Sequence, residues 1–187
     1  GRILLTVDPL ESSSLANSPA FGLRLLLKEW GIRCHNMRIH DPNKNNFDIF
    51  TGDLILRTYP SDKSSSIINE LVEGGFSIRS QNCRPVEKDI KHSIEVDPKE
   101  LLFSSSSSWA LAGWSERNNP PEKNELLDLE GPVPIMAISE INSRSLGNND
   151  KLMGGRLAVL GSSQILSNYR LNQNTGNYLL AKNHQMT

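Results

Sequence analysis

Residues 2–8, R-I-L-L-T-V-D, form an almost continuous apolar run that ends in Asp8-Pro9. Runs without polar alternation are typical of strands that are covered on both faces, as in parallel sheets. A second apolar run, G-R-L-A-V-L-G at residues 155–161, lies towards the end of the sequence. These runs predict two strands of a layered α/β domain.

Helix and strand patterns alternate between the two runs. Apolar residues recur at helical spacing from Leu23 to Trp30, and strand patterns cover 32–39, 53–59 and 76–79. A second helix pattern lies between the last two of these strands. The order strand, helix, strand, strand, helix, strand predicts a single α/β domain with a mostly parallel central sheet and helices on both faces.

The composition agrees with one domain over residues 1–187 and argues against a dedicated nucleic-acid binder. The 20 Lys and Arg residues against 21 Asp and Glu residues leave a net charge of −1, without a basic excess. We therefore expect no nucleic-acid partner. Residues 115–131 are polar, contain Pro120-Pro121, and predict a surface excursion.

The sequence contains no apolar run of the roughly 18 residues that a transmembrane helix needs. It also begins without a Met, a basic segment or an apolar leader. We therefore interpret the chain as a domain excised from a longer protein, whose other parts could carry targeting or anchoring segments. Contact with a membrane is expected only through other parts of that protein.

The first candidate site is the turn in which a strand runs through Gly161 into Ser162 and Ser163. In an open α/β sheet such a turn faces the ligand crevice, and its free N–H groups suit an anion. Asp8 follows the first strand and shares this edge of the sheet if the strands are parallel. Asp8, Ser162 and Ser163 are therefore candidate ligand-binding residues. The alternative is that the serines only cap a helix and Asp8 only shapes its turn.

Two tryptophans mark a second region of interest. Trp109 and Trp114 flank the small-residue segment A-L-A-G. They form either an aromatic face for a sugar or a partner, or part of the core and its rim.

Motifs for metal, nucleotide or nucleophilic chemistry are absent from the sequence. Cys34 and Cys83 lie far apart without CxxC spacing, which leaves free thiols or a disulfide as alternatives. The four histidines have no metal-ligand spacing, and no Gly-rich nucleotide motif is present, so we expect no metal and no cofactor. The string G-S-S-Q-I also differs from the G-x-S-x-G of serine hydrolases.

Several short segments resemble one protein family when they are taken in order. They are the opening L-L-T-V-D-P, L-L-L-K-E-W-G-I, Asp41-Pro42, L-I-L-R-T-Y-P, R-P-V at 84–86, L-L-F-S-S-S-S-S-W, G-P-V-P-I-M-A-I-S-E, G-G-R-L-A-V-L-G-S-S-Q-I-L-S-N and G-N-Y-L-L-A-K-N. This series resembles the extracytoplasmic domain of the auxiliary components of gliding-motility-type ABC transporters. The likeness covers nearly the whole chain and rests on the order of the segments.

The resemblance implies a flavodoxin-like or class I glutamine-amidotransferase-like sandwich without the catalytic Cys–His–Glu of the amidotransferases. It also implies an extracytoplasmic position in a membrane-anchored protein, with ABC transporter subunits as partners. The family's last strand commonly runs into G-D-small-D, whereas Gly161 is followed here by Ser162, Ser163 and Gln164. No role of those acids can therefore be carried over.

The function expected from the sequence is a non-enzymatic binding or scaffolding module of a membrane transport assembly. The reason is that the sequence lacks a nucleophile–base set and a metal motif. Two alternatives stay open: a crevice receptor for a small solute or glycan, and an unrecognised hydrolase or amidotransferase-like enzyme. A protein adaptor is favoured over a receptor because Asp8 is the lone charged group among the crevice candidates.

Overall fold

The computed structural model describes residues 1–10, 23–58, 68–91, 93, 95–117, 120–141, 155–171 and 176–186. These residues form eleven strands: β1 (Arg2–Thr6), β2 (Ile32–Cys34), β3 (Met37–His40), β4 (Leu54–Leu56), β5 (Ile78–Ser80), β6 (Val86–Lys88), β7 (Val96–Phe103), β8 (Trp109–Ala112), β9 (Leu129–Glu130), β10 (Pro134–Ile141) and β11 (Arg156–Leu160). They also form four α-helices: α1 (Leu23–Glu29), α2 (Asn69–Gly74), α3 (Asn168–Leu171) and α4 (Gly176–Met186). None of the helices in the described ranges is long and apolar enough to cross a bilayer.

A four-stranded sheet with the order β1-β11-β10-β7 forms the centre of the fold. The two apolar runs of the sequence are neighbours in it, because β1 pairs with β11 in parallel, with Leu4 opposite Ala158. The pairs β11–β10 and β10–β7 are antiparallel. Three smaller antiparallel sheets, β2–β6, β3–β8–β9 and β4–β5, surround this sheet.

The prediction of a mostly parallel, flavodoxin-like or amidotransferase-like sandwich is wrong. Among the described strands one pairing of seven is parallel, and more residues lie in strands than in helices. The physical reason is that a continuous apolar run indicates only a strand that is buried on both of its faces. Antiparallel strands can be buried in this way too. In β10 five consecutive residues, 135–139, are buried, yet both neighbouring strands run antiparallel to it.

Two hydrophobic clusters cover the two faces of the central sheet. Alternate residues of β11 point into different clusters, as expected for a strand: Leu157 and Val159 pack with Leu27 of α1, whereas Ala158 and Leu160 do not. The second cluster contains Leu71 of α2 and Leu180 of α4, with residues of β4, β5, β7 and β10.

The strand predicted at 32–39 is divided into β2 and β3, which pair with β6 and β8 respectively. Asn36 lies at the break. Its side chain accepts a hydrogen bond from the Leu10 N–H (2.9 Å) and donates one to the Leu10 carbonyl (3.4 Å). The break between β2 and β3 is therefore tied to the segment that follows β1.

Asn177 at the start of α4 occupies the outer edge of β5. Its amide oxygen accepts the Arg79 N–H (2.9 Å), and its amide nitrogen donates to the Arg79 and Ile165 carbonyls, both at 2.8 Å. The Gly176 N–H also donates to the Ser77 carbonyl (3.0 Å). The helix start therefore supplies the hydrogen bonds that a further strand would supply.

The Asp128 carboxylate, whose side chain is fully buried, ties residues of the predicted excursion to β8. It accepts hydrogen bonds from the backbone N–H groups of Ala112 (3.0 Å) and Asn124 (2.8 Å). The Arg117 guanidinium completes this cluster with a 2.9 Å ion pair to Asp128. These contacts fix Arg117, and with it the short segment that carries Trp114, at the end of β8.

Candidate functional site

The structure brings Asp8 and Ser163 together, because β1 and β11 are adjacent and parallel and both residues follow these strands. The Asp8 carboxylate accepts a hydrogen bond from the Ser163 N–H at 2.8 Å. The Asp8 carboxylate is therefore the acceptor for the N–H group at the start of the 3-10 helix Ser163–Leu166. A negative charge is favourable at this position. Both residues are exposed at the surface.

Ser162 lies inside the protein, in contrast to its two predicted partners, and is completely buried. Its hydroxyl donates to the Gln81 carbonyl (2.9 Å) and accepts from the Ser80 hydroxyl (3.0 Å) and the Gln164 N–H (3.3 Å). Its hydrogen bonds are therefore those of a helix cap, which was the alternative to ligand binding. Ser162 does not line the cavity described below.

We expect Ser162→Ala to lower the free energy of unfolding by about 1–2 kcal/mol, because it removes a cap and leaves buried groups unpaired. Ser163→Ala is the matched control, because its hydroxyl is exposed. The measurement is urea denaturation of both variants. Equal losses in the two variants would contradict the assignment of the cap to Ser162.

A cavity of about 440 Å³ lies beside this turn, lined by Asp8, Arg38, Asn82, Trp114, Ser163 and Gln164 together with Pro9. A second cavity of the same size shares Arg38, Asn82 and Trp114 with it and extends towards His40, Asp41, Gln81 and Arg117. We call the two adjoining cavities the crevice.

Arg38 of β3 and Trp114 form the common wall of the crevice. The guanidinium carbon of Arg38 lies 5.1 Å from the centre of the indole ring, at cation–π distance. Arg38 is partly buried, and within the described part of the chain no carboxylate forms an ion pair with it. Stacking on the indole fixes a positive charge at the wall without neutralising it.

Asn82 is the third residue shared by the two cavities. Its φ angle of 49° places it in the left-handed region, which Asn adopts more readily than most residues other than Gly. Such backbone conformations carry strain and cluster at functional sites. The conformation presents an exposed amide at the junction of the two cavities.

The second cavity is lined by an acid, Asp41, whose carboxylate is already hydrogen-bonded within the protein. Asp41 is buried and accepts hydrogen bonds from the Asn43 N–H, the Asn46 amide and the hydroxyls of Ser105 and Ser107, all but the Ser105 bond at 2.9 Å. The serine residues that follow β7 thus supply two of the hydrogen bonds to this buried carboxylate. Asp41 is therefore a structural acid of the crevice wall.

His40 and Trp109 pack against each other next to Asp41, with ring centres 4.9 Å apart. Burial lowers the pKa of His40, although the Asp41 charge opposes the shift. The imidazole is therefore neutral at pH 7. Of the two predicted tryptophans, Trp109 belongs to this packing, whereas Trp114 forms the crevice wall.

An ion pair beneath the crevice anchors the segment that follows β11. Arg170 of α3 donates to both carboxylate oxygens of Asp53, at 2.6 and 2.9 Å, and the Asp53 side chain is fully buried. The same guanidinium reaches the Gln164 carbonyl at 3.4 Å and the Ser167 hydroxyl at 3.3 Å. The turn that carries Ser163 is therefore fastened to the start of β4.

The described residues contain no group of three acids, cysteines or histidines that could hold a metal ion. Cys34 and Cys83 are free thiols in the structure. Burial raises the pKa of Cys34 to about 11 and that of Cys83 to about 12. Of the four histidines, His92 and the side chain of His184 lie outside the described residues.

Sequence reasoning selected Asp8 and Ser163 as candidates and did not select Arg38, Asn82 and Gln164. A strand followed by a turn at a sheet edge pointed to the first pair. No local signal marks the others, because they come from β3, from the bend after β5 and from the 3-10 helix after β11. Arg38 lies in the predicted strand 32–39 among other polar residues, so its charge alone did not distinguish it.

No family model matches the chain, and no curated protein matches it. Among solved structures, the chain is similar to one titled mmIFT52 N-terminal domain, with a TM-score of 0.56 and 14% sequence identity. The match covers 97% of this chain and 62% of that one. At this identity the similarity concerns the fold alone.

Proposed function

We propose that this chain is a non-enzymatic binding module of a membrane-anchored, gliding-motility-type ABC transport assembly, on its extracytoplasmic face, and that the crevice is its binding site. The observation that supports the binding role best is Arg38. A partly buried guanidinium stacks on Trp114 at the wall of a cavity, and no described carboxylate neutralises it. Maintaining a fixed, unpaired charge at a cavity favours recognition of a ligand.

The groups around the crevice favour binding over catalysis. The Asp41 carboxylate is saturated by four hydrogen bonds, and Ser162 is turned into the protein. No described serine hydroxyl or cysteine thiol is hydrogen-bonded to a histidine, which a nucleophile–base pair requires. Ser163 at the mouth of the cavity therefore acts as a polar contact in our proposal.

The two thiols provide a direct test against a thiol enzyme. Burial raises the pKa of both cysteines far above the ordinary value near 8.5, so their thiolate fraction at pH 6 is negligible. We expect no labelling of Cys34 or Cys83 by iodoacetamide at pH 6 in the folded protein, and full labelling of both in urea at pH 8.5. Rapid, selective labelling of one cysteine at pH 6 would favour the enzyme alternative.

A thermal-shift screen tests the crevice as the binding site. The panel contains sugars, amino acids, nucleotides, phosphate and divalent metals, and a ligand at 100 times its dissociation constant stabilises the folded state by about 2.7 kcal/mol. Ser163→Trp places an indole at the cavity mouth, and Ser106→Trp is the matched control at an exposed turn position that does not line the crevice.

The expected result is one chemical class that stabilises the wild type and Ser106→Trp but not Ser163→Trp. Two results would overturn the proposal. One is that no class stabilises the wild type, and the other is that the shift survives unchanged in Ser163→Trp.

Scaffolding of transporter subunits is a second candidate, supported by the turn between β3 and β4. Asp48 accepts the N–H groups of Phe50 (3.0 Å) and Thr51 (2.9 Å), and these bonds, that of Thr51 first, hold its pKa below the usual range. The fixed turn leaves Ile49 85% and Phe50 89% exposed.

Ile49→Ser with Phe50→Ser should abolish co-purification with the subunits of the assembly, while Ile90→Ser, at an equally exposed site, should not. Unchanged co-purification would exclude this turn as the contact.

A further inference from the structure

Two opposite charges face the cavity beside Ser163 without pairing with each other. Asp8 and Arg38 both line it, and neither forms an ion pair with any charged side chain in the described ranges. Arg84, which is buried nearby, donates to the backbone carbonyls of Asp8 (3.1 Å) and His35 (2.8 Å) and not to the Asp8 carboxylate, although the charges of Arg84 and Asp8 attract each other. A ligand in this cavity therefore meets one positive and one negative group.

Both charges are held in place by the protein. One oxygen of the Asp8 carboxylate accepts the Ser163 N–H, and the other accepts no hydrogen bond from the described residues. The Arg38 guanidinium is stacked on Trp114. Fixed positions reduce the conformational entropy that ligand binding would otherwise cost.

Neutral polar groups complete the lining between the two charges. The side chains of Asn82, Ser163 and Gln164 line the cavity, and the described residues provide no hydrogen-bond partner for any of the three. The volume of about 440 Å³ lies within the range of small-molecule sites. The cavity therefore suits a compact polar molecule.

We infer that the crevice binds a small zwitterion of the amino-acid type, with its carboxylate on Arg38 and its ammonium group on Asp8. The inference rests on the proposed binding function and names the class of ligand. A guanidinium pairs with a carboxylate through two parallel hydrogen bonds, and the free oxygen of Asp8 can accept from an ammonium group. The amides of Asn82 and Gln164 are placed to bind polar groups of the same ligand.

Other ligand classes fit the charges less well. A phosphate or nucleotide on Arg38 would meet the like charge of Asp8, and a divalent metal on Asp8 would meet Arg38. A neutral sugar could hydrogen-bond to both groups but would supply a counter-charge to neither.

Calorimetric titration of the purified chain with L-serine and L-leucine tests the inference. Their N-acetyl derivatives lack the ammonium group and their methyl esters lack the carboxylate. We expect both derivatives to bind at least about tenfold more weakly than the free amino acid.

Two variants assign each charge to its partner on the ligand. Asp8→Asn keeps an acceptor for the Ser163 N–H. It should abolish the preference for the free amino acid over its N-acetyl derivative and retain the preference over its methyl ester. Arg38→Gln should abolish the preference for the free amino acid over its methyl ester and retain the preference over its N-acetyl derivative. Arg57→Gln and Asp97→Asn, at exposed sites outside the crevice, are the matched controls and should leave both preferences unchanged.

The outcomes separate the inference from the proposed function. Equal binding of amino acids and both derivatives would overturn the zwitterion site. A sugar or phosphate that binds in a Ser163-dependent manner, with no binding of amino acids, would also overturn it and would leave the proposed function standing. Absence of binding by every class would overturn both.

Discussion

Replacing Arg170 by Gln is expected to lower the free energy of unfolding by about 3–5 kcal/mol, because it leaves the carboxylate of Asp53 buried without its counter-charge. The Asp53 side chain is fully buried and the Arg170 side chain is 9% exposed. Both carboxylate oxygens are engaged by the guanidinium, at 2.6 and 2.9 Å. The loss is large because the desolvated charge cannot reach water in the folded state.

Urea denaturation of Arg170→Gln, Asp53→Asn and the double variant measures this coupling. We expect the double variant to be destabilised by less than the sum of the single variants, because it leaves no isolated buried charge. Asp97→Asn removes an exposed ion pair to Lys99 and should cost no more than about 1 kcal/mol. Additive losses would contradict a direct interaction between Arg170 and Asp53.

Gly161→Ala is expected to cost about 3 kcal/mol, at the upper end of overpacking effects. A Cβ at this position would lie 2.1 Å from the Arg84 carbonyl oxygen and 3.1 Å from that of Ile135. Both contacts are with backbone, and the Gly161 N–H and carbonyl are themselves bonded to Ile135 and Arg84. The strain cannot be relieved by turning a side chain, so the backbone at Arg84 must move away from Gly161.

Gly155→Ala is the matched comparison at the other end of β11. There the added Cβ would first meet the indole of Trp30 at 2.8 Å, which is a side chain that can shift. We expect a smaller loss for this variant in the same urea titration. A loss below about 0.5 kcal/mol for Gly161→Ala would show that the backbone at Arg84 yields without cost.

The sequence was sufficient to predict that β1 and β11 are apolar strands and that polar residues follow them. It was insufficient for strand direction, because β10 is as continuously apolar as β11 and yet is antiparallel to its neighbours. The break at Asn36 was also missed. The side chain at this break is hydrogen-bonded to Leu10, which lies 26 residues away, and such a contact leaves no local pattern.

The candidate site was predictable only where it follows sheet topology. Asp8 and Ser163 meet because their strands are adjacent and parallel. Arg38, Asn82 and Trp114 converge on the same cavity from distant parts of the chain, and their roles depend on tertiary packing. The charge on Arg38 changes the balance between adaptor and receptor, because Asp8 is no longer the lone charged group of the crevice.

The amide of Asn177 has a consequence for self-association. An uncovered edge strand offers a row of backbone donors and acceptors on which another chain can add a strand, and this is a common route to aggregation. At β5 the groups of Arg79 that would form this template are already bonded to Asn177, and the carbonyl of Ser77 is bonded to Gly176. A helix terminus thus shields the edge of a two-stranded sheet and protects the β4–β5 side of the protein from intermolecular strand addition.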